Sequence, residues 1–302
     1  MAATDGTWTV QRILDWTRGF FERKQLDAPR LSSELLVAHV LGVPRIKLYT
    51  DYQRPLEEQQ LVRLRELVKR AGEEEPIAYL TGITHFFNCE LHVRPGVLIP
   101  RPDTETIVEH ALQLFRNTLG FEAPRVLDLC TGSGAIAVAI AKHAKAAQVV
   151  ASDISEDALA VARQNVETVG VADRVTVLPG DLYDALAGLT DPSPFDLIVS
   201  NPPYIASDQI AGLPRNVRDY EPRLALDGGP DGLDPHRRIF QGAQDRWLRD
   251  GGRLMLEIAF DQHDAALAMA AAYPAFTDVK VVRDFGGNPR VLLATKGKGD
   301  AQ

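Results

Sequence analysis

The chain has 302 residues, of which 45% are hydrophobic, 25% charged and 7% aromatic, and its formal charge is −8. This balance supports one large or two modest domains and excludes a disordered or collagen-like chain. Residues 1–75 hold 12 basic and 12 acidic side chains, so the whole excess falls on residues 76–302, which argues against a grip on duplex DNA through its phosphates.

Two cysteines, Cys89 and Cys130, form no C-x-x-C, and the seven histidines have no H-x-x-x-H spacing. A disulfide scaffold and a readable metal site are therefore not expected. No apolar run approaches the roughly 18 residues of a membrane span, and the start has no basic-then-apolar leader, so a cytoplasmic protein is expected.

Residues 1–75 read as helices. Val10, Ile13, Leu14, Thr17, Phe20 and Phe21 recur at helical spacing. Leu31, Leu35, Ala38 and Leu41 do so between Pro29 and Gly42, and Leu61, Leu64, Leu67 and Val68 do so between Pro55 and Gly72. A small amphipathic bundle is predicted, either a packing domain or one that docks a partner. Residues 76–100 alternate apolar and polar positions around Gly82 and Asn88, which predicts a β-hairpin linker.

From Arg101 helices and strands alternate. A helix over about 104–119 has Asp103 as its N-cap. Strands follow at Val126–Leu129, Gln148–Ser152, Arg174–Leu178 and Phe195–Ser200, with helices near 134–145 and 156–168. Helix 236–248, strand Arg253–Ile258 and helix 262–273 come next. Two closing strands, Thr277–Asp284 and Pro289–Thr295, are joined by Gly286-Gly287-Asn288. The predicted fold is α/β, a doubly wound parallel sheet with a terminal antiparallel hairpin, preceded by the helical bundle.

The first strand runs through Asp128 into Cys130-Thr131-Gly132-Ser133-Gly134. The glycines let backbone approach a ligand where a Cβ would collide, and small Thr131 and Ser133 keep the loop tight. Asp153, 19 positions after Gly134, can take two ribose hydroxyls. The loop fits a nicotinamide dinucleotide as well as S-adenosylmethionine. Asp128 favours the second, because a carboxylate repels pyrophosphate and suits a cationic amino-acid end. Asp181 can accept an adenine amino group, and Leu182 can cover a ring face.

Asn201-Pro202-Pro203-Tyr204, after the fourth strand, is the most specific signal. Two prolines fix the backbone and remove two donors, leaving acceptors. The Asn201 side-chain oxygen and the Pro202 carbonyl can receive both hydrogens of a planar –NH2 group lying on the Tyr204 ring. Such a nitrogen is a poor nucleophile because its lone pair is delocalised. Two acceptors hold it in line with a methyl donor and favour the charge that develops on it.

Together these loops resemble those of the class I S-adenosylmethionine methyltransferases that act on planar nitrogen. Five segments narrow the resemblance to the peptide chain release factor N5-glutamine methyltransferase family, over essentially the whole chain. They are Pro76-Ile-Ala-Tyr-Leu-Thr-Gly, Leu98-Ile-Pro-Arg-Pro-Asp-Thr-Glu, Asp128-Leu-Cys-Thr-Gly-Ser-Gly-Ala-Ile-Ala, Ser200-Asn-Pro-Pro-Tyr-Ile and Glu221-Pro-Arg-Leu-Ala-Leu-Asp-Gly-Gly. The resemblance implies an enzyme that uses S-adenosylmethionine, releases S-adenosylhomocysteine and needs no metal. It implies cofactor contacts from residues 130–134, Asp153 and the Asp181-Leu182 pair. Asp128 and Asn201 join these on the reading of the loops, and substrate contacts come from Asn201 to Tyr204.

The implied substrate is the glutamine of the Gly-Gly-Gln motif in class I release factors, with no membrane and no direct nucleic-acid partner. Residues 1–75 would form a substrate-recognition domain and residues 101–302 the methyltransferase domain. Cys130 departs from the glycine common in class I methyltransferases, and Leu182 stands where some relatives carry an aromatic. Three alternatives stay open: a glutamine methyltransferase of a ribosomal protein, an adenine-N6 or cytosine-N4 nucleic-acid methyltransferase, and a non-catalytic docking module. Pro102-Asp103 points away from the first. The lack of a basic surface weighs against the second, and the intact cofactor loop and Asn201 against the third.

Overall fold

The structure, a computed structural model, describes residues 7–297 and divides into two compact units. One takes in the chain up to Ile83 with Arg215–Tyr220; the other holds Thr84–Pro214 and the chain from Glu221.

The first unit is helical: α1 (Val10–Arg23), α2 (Pro29–Leu41), α3 (Lys47–Thr50), α4 (Glu58–Ala71), α5 (Ile77–Thr81) and, from far along the chain, α9 (Arg215–Arg218). Thr9 Oγ1 accepts from the Arg12 N–H to start α1, and Glu57 and Gln60 close a capping box on α4. Gly42, at φ 64°, ends α2 where a side chain would be strained. Val10, Ile13, Phe21, Leu36, Val37, Leu64 and Leu67 form the core.

Two expectations change here. Leu31 is exposed, and the buried face of α2 runs through Ser33, Glu34, Leu36 and Val37. Glu34 turns this face inward because its carboxylate is held by Arg30, Arg45 and the Tyr49 hydroxyl. Ile77–Thr81 is a helical turn, where alternation pointed to strand. Five residues are too few to display a period, and Gly82 at φ 76° stops the turn.

In the second unit, β1 (Ile83–Phe86) and β2 (Cys89–His92) form a small two-stranded sheet. Then come α6 (Glu105–Asn117), β3 (Arg125–Leu129), α7 (Ala135–His143), β4 (Gln148–Asp153), α8 (Glu156–Val169), β5 (Val175–Pro179), β6 (Phe195–Ser200), α10 (Asp234–Gly242), β7 (Leu248–Glu257), α11 (His263–Ala270), β8 (Phe276–Arg283) and β9 (Pro289–Lys296). The large sheet has the order β5-β4-β3-β6-β7-β9-β8. Strands β3 to β7 are parallel, and β9 pairs antiparallel with both β7 and β8.

Alternation builds both faces of this sheet. Val126, Val149, Ala151, Leu197 and Val199 face one core, while Leu127, Leu129, Val150 and Ile198 face the other. Parallel strands covered on both sides read as continuous apolar runs for this reason. Every apolar residue of α7 is buried, consistent with a helix apolar all round. Two boundaries differ from the sequence reading. Asp103 caps no helix; it sits in a 3-10 turn, Pro102–Thr104, and pairs with Arg290 at 3.0 Å. The predicted helix 236–248 is α10 followed by a π turn, Ala243–Trp247.

Candidate functional site

Chain order runs outward from β3 through β4 to β5, then returns to the opposite side of β3 at β6. The carboxyl ends at such a reversal leave a crevice. A cavity of about 300 Å³ lies there, lined by Cys130, Gly132, Asp153, Ser155, Gly180, Asp181, Leu182, Asn201 and Pro203, together with Gly96–Leu98, Pro222, Leu224, Ala225, Asp227 and Arg238. That volume is at the small end of the range for ligand sites.

The loop after β3 is held from below and from the side. Asp128 is fully buried, and its Oδ2 accepts from the Thr131 hydroxyl (2.6 Å) and the Ala137 N–H (3.1 Å). Burial pushes its carboxyl up to about 7. Asp128 therefore braces the loop through Oδ2, while its Oδ1 has no hydrogen-bond partner among the described residues. Asp153 accepts from the Gly132 N–H at 2.8 Å through Oδ2 and from the Ser155 N–H at 2.9 Å through Oδ1. Each oxygen keeps a lone pair for a further donor, and burial raises this carboxyl too. Cys130 takes φ 56°, the left-handed conformation that glycine adopts more freely, and burial pushes its thiol up. Above Gly132 the space a Cβ would enter is open.

After β5, an added Cβ on Gly180 would lie 2.5 Å from the Ala185 backbone, so only glycine makes this turn. Asp181 carries an ion pair with Arg238 of α10 at 2.8 Å. Leu182 lines the cavity with its backbone at φ 50°.

The acceptor loop follows β6. Asn201 lines the cavity, and its side-chain Nδ2 donates to Thr104 Oγ1 at 3.1 Å. The Tyr204 hydroxyl donates to Glu257 Oε1 at 3.3 Å, and the Tyr204 carbonyl accepts from Gln262 Nε2 at 2.9 Å. Glu257 is fully buried at the end of β7, and burial pushes its carboxyl up to about 7 against the pull of Thr104, Arg290 and Tyr204. A strap from Glu221 to Gly232 backs the loop. Gly228 N–H donates to the Ile205 carbonyl at 2.8 Å, and a Cβ on Gly232 would lie 2.2 Å from the Tyr204 oxygen. Arg101 pairs with buried Glu221 at 2.6 Å, fixing one end of the strap.

Of the residues expected from sequence, Cys130, Gly132, Asp153, Asp181, Leu182, Asn201 and Pro203 line the cavity together. Asp128, Thr131, Ser133, Gly134, Pro202 and Tyr204 are not part of that lining. Sequence reasoning missed Arg238, Thr104 and Glu257 as parts of the site. Thr104 sits inside the Pro-Arg-Pro-Asp-Thr-Glu segment, so a signal existed, though not one that named its partner.

Residues 12–82 match the PrmC N-terminal domain family and residues 104–213 the Methyltransferase small domain family. The chain is 42% identical to a release factor glutamine methyltransferase of Rhodopirellula baltica, covering 97% of this chain and 98% of that one. It is also 42% identical to one of Geobacter sulfurreducens, over 94% and 96%. Among solved structures, a methyltransferase from Pyrococcus furiosus superposes with a TM-score of 0.50 at 19% identity, covering 80% of this chain and 100% of that one. This last likeness bears on the fold, which is the class I methyltransferase fold.

Proposed function

The chain belongs to the release factor glutamine methyltransferases, and from that premise we propose that its cavity presents a glutamine amide of the Gly-Gly-Gln motif of class I release factors to S-adenosylmethionine. The activity is S-adenosylmethionine-dependent methylation of release factor glutamine at the side-chain nitrogen.

The residues fit such a cofactor. The Asp153 carboxylate has lone pairs left after accepting from Gly132 and Ser155, and suits a pair of ribose hydroxyls. Asp181 and Leu182 suit an adenine, and the open space over Gly132 allows close backbone approach. When bound, the cofactor supplies an electrophilic methyl group. The protein's own part is to orient the nitrogen and keep water away.

One observation carries the reading: the Asn201 amide turns its NH2 onto Thr104 while lining the cavity. Its oxygen is thereby available to a substrate –NH2. The Pro202 carbonyl supplies a second acceptor, and Gln262 and Glu257 hold Tyr204 beside it. In this reading both amide hydrogens are accepted, which favours positive charge developing on nitrogen, a gain larger in the transition state than in the ground state.

Asn201→Ala should bind S-adenosylmethionine within a few-fold of wild type by calorimetry, yet transfer tritiated methyl to release factor at least about 10²-fold more slowly. Ribosomal protein and DNA, assayed beside release factor, should remain unlabelled by the wild type. Normal turnover by Asn201→Ala would overturn the acceptor mechanism. Preferential labelling of either other substrate would overturn the substrate assignment.

A further inference from the structure

Among the described residues that line the cavity, Arg238 of α10 is the one basic side chain, beside three carboxylates, Asp153, Asp181 and Asp227. S-adenosylmethionine carries no phosphate for a guanidinium to neutralise. Arg238 instead turns its charge on the protein, its Nη2 donating to Asp181 Oδ2 at 2.8 Å. Both side chains are about half exposed, and a pair of that kind adds little to stability. Its effect lies in direction. A carboxylate is planar, so a bond that holds Oδ2 also sets where Oδ1 points.

The loop that carries Asp181 needs such a hold. It follows β5, the last strand at its end of the sheet, and both Gly180 (φ 151°) and Leu182 (φ 50°) take positive φ. Helix α10, by contrast, is fixed in the core: Ile239 and Phe240 are fully buried, and His236 Nε2 donates to the Glu257 carbonyl at 2.8 Å. Three contacts join loop to helix. Besides the ion pair, the Tyr183 hydroxyl donates to the Ile239 carbonyl at 2.7 Å, and the Tyr183 ring lies so close to Gly242 that a Cβ there would stand 2.2 Å from it. The two Tyr183 contacts place the backbone of the loop. The Arg238 bond is the one made to a side chain that lines the cavity.

We infer, resting on the assignment of Asp181 to the adenine proposed above, that Arg238 sets the purine specificity of the cavity: by holding Asp181 Oδ2 it turns Oδ1 toward the ligand as the acceptor for the 6-amino group. Arg238 is a positioning residue, acting through Asp181. An oriented acceptor rewards a purine that brings a donor to it, whereas a purine with hydrogen at that position leaves Oδ1 unpaired. Without Arg238 the Asp181 side chain is free to rotate into solvent, and the preference falls.

The test uses the full chain with Arg238→Met, Asp181→Ala and the two combined. Calorimetry measures the affinity of each for S-adenosylhomocysteine and for its counterpart with hydrogen in place of the 6-amino group. Arg238→Met keeps most of the apolar stem and loses the donors. The ratio of the two affinities is the readout, because a loss of folded protein does not move it. Wild type should favour the amino form by about 10-fold or more. Arg238→Met should lower that ratio by at least about 3-fold, and Asp181→Ala should bring it near one. Adding Arg238→Met to Asp181→Ala should change nothing further, the mark of two residues acting as a unit.

A wild-type ratio in Arg238→Met would overturn the inference. Were both ligands equally weakened there, Arg238 would act on a part they share, such as the carboxylate of the amino-acid end. An effect of Arg238→Met that persists beside Asp181→Ala would overturn it too, since Arg238 would then act on the purine without Asp181. The underlying assignment fails separately. A wild type that binds both ligands alike, or an Asp181→Ala that keeps the preference, removes Asp181 as the adenine acceptor and Arg238 with it. A lost preference in Asp181→Ala beside a full one in Arg238→Met removes Arg238 alone.

Discussion

His236 shows how far one buried side chain can couple stability to pH. It is fully buried on α10, its Nε2 donates to the Glu257 carbonyl at 2.8 Å, and Nδ1 has no partner among the described residues. Burial lowers its pKa from 6.5 to about 4. Because the folded value lies below the unfolded one, the neutral ring contributes fully above pH 6.5, and that contribution is lost as pH falls toward 4. The shift corresponds to roughly 3 kcal/mol. Between pH 7 and 4, chemical denaturation should therefore show His236→Gln gaining up to about that much relative to wild type. A constant difference across this range would remove His236 as the source.

The same scale shows what the sequence made legible. Gly132, Asp153, Asp181 and Asn201 announced themselves because strand ends and small residues at fixed spacing constrain what can stand there. Asp128 announced itself near the end of β3, but its bonds to the Thr131 hydroxyl and the Ala137 N–H did not, since they depend on how the loop folds back. Glu257 was invisible for a related reason: it meets Tyr204 across 53 positions, through a strand order that no local pattern encodes.

Between single residues and the whole, the acceptor loop depends on elements that touch no substrate. Two prolines stiffen it, but its placement comes from the strap behind it, from Gln262 and from the bonds that Ile205 shares with Leu226 and Gly228. Gly232 is the strap's tightest point against backbone, at φ 75° with the Tyr204 carbonyl oxygen 2.2 Å from where a Cβ would stand. Gly232→Ala must therefore push the loop aside. It should slow methyl transfer by about 10-fold or more while cofactor affinity stays within a few-fold, since a displacement near 1 Å at a reacting group is worth about that much or more. Equal losses of affinity and rate would show that the strap supports the whole cavity instead. The strap's sequence, Glu221-Pro-Arg-Leu-Ala-Leu-Asp-Gly-Gly, stood out by resemblance, but its function as a brace appears only once Gly228 and Gly232 are seen against the backbone of residues 203–205.

At the scale of the molecule, helical and strand periods separated the two units, because a bundle core and a doubly covered sheet impose different repeats. Where they meet in sequence, the short turn Ile77–Thr81 escaped that logic. We propose that the helical unit serves recognition of the protein substrate, since the cavity's lining lies wholly within the second unit. A chain beginning at Thr84 should then bind S-adenosylmethionine within a few-fold of wild type and methylate release factor at least about 10-fold less efficiently, the loss appearing mainly in KM. Full efficiency would leave the bundle a structural role alone. The strand order has one more consequence. Asp181 and Leu182 are carried by β5, the outermost strand at its end of the sheet, whereas the loop after β3 rises from the centre. Outer strands fray at a lower free-energy cost than central ones. On the proposed reading, the end of the cavity suited to the adenine is thus built on an edge strand, so a bound ligand can be let go by local breathing at the margin while the centre of the sheet stays folded.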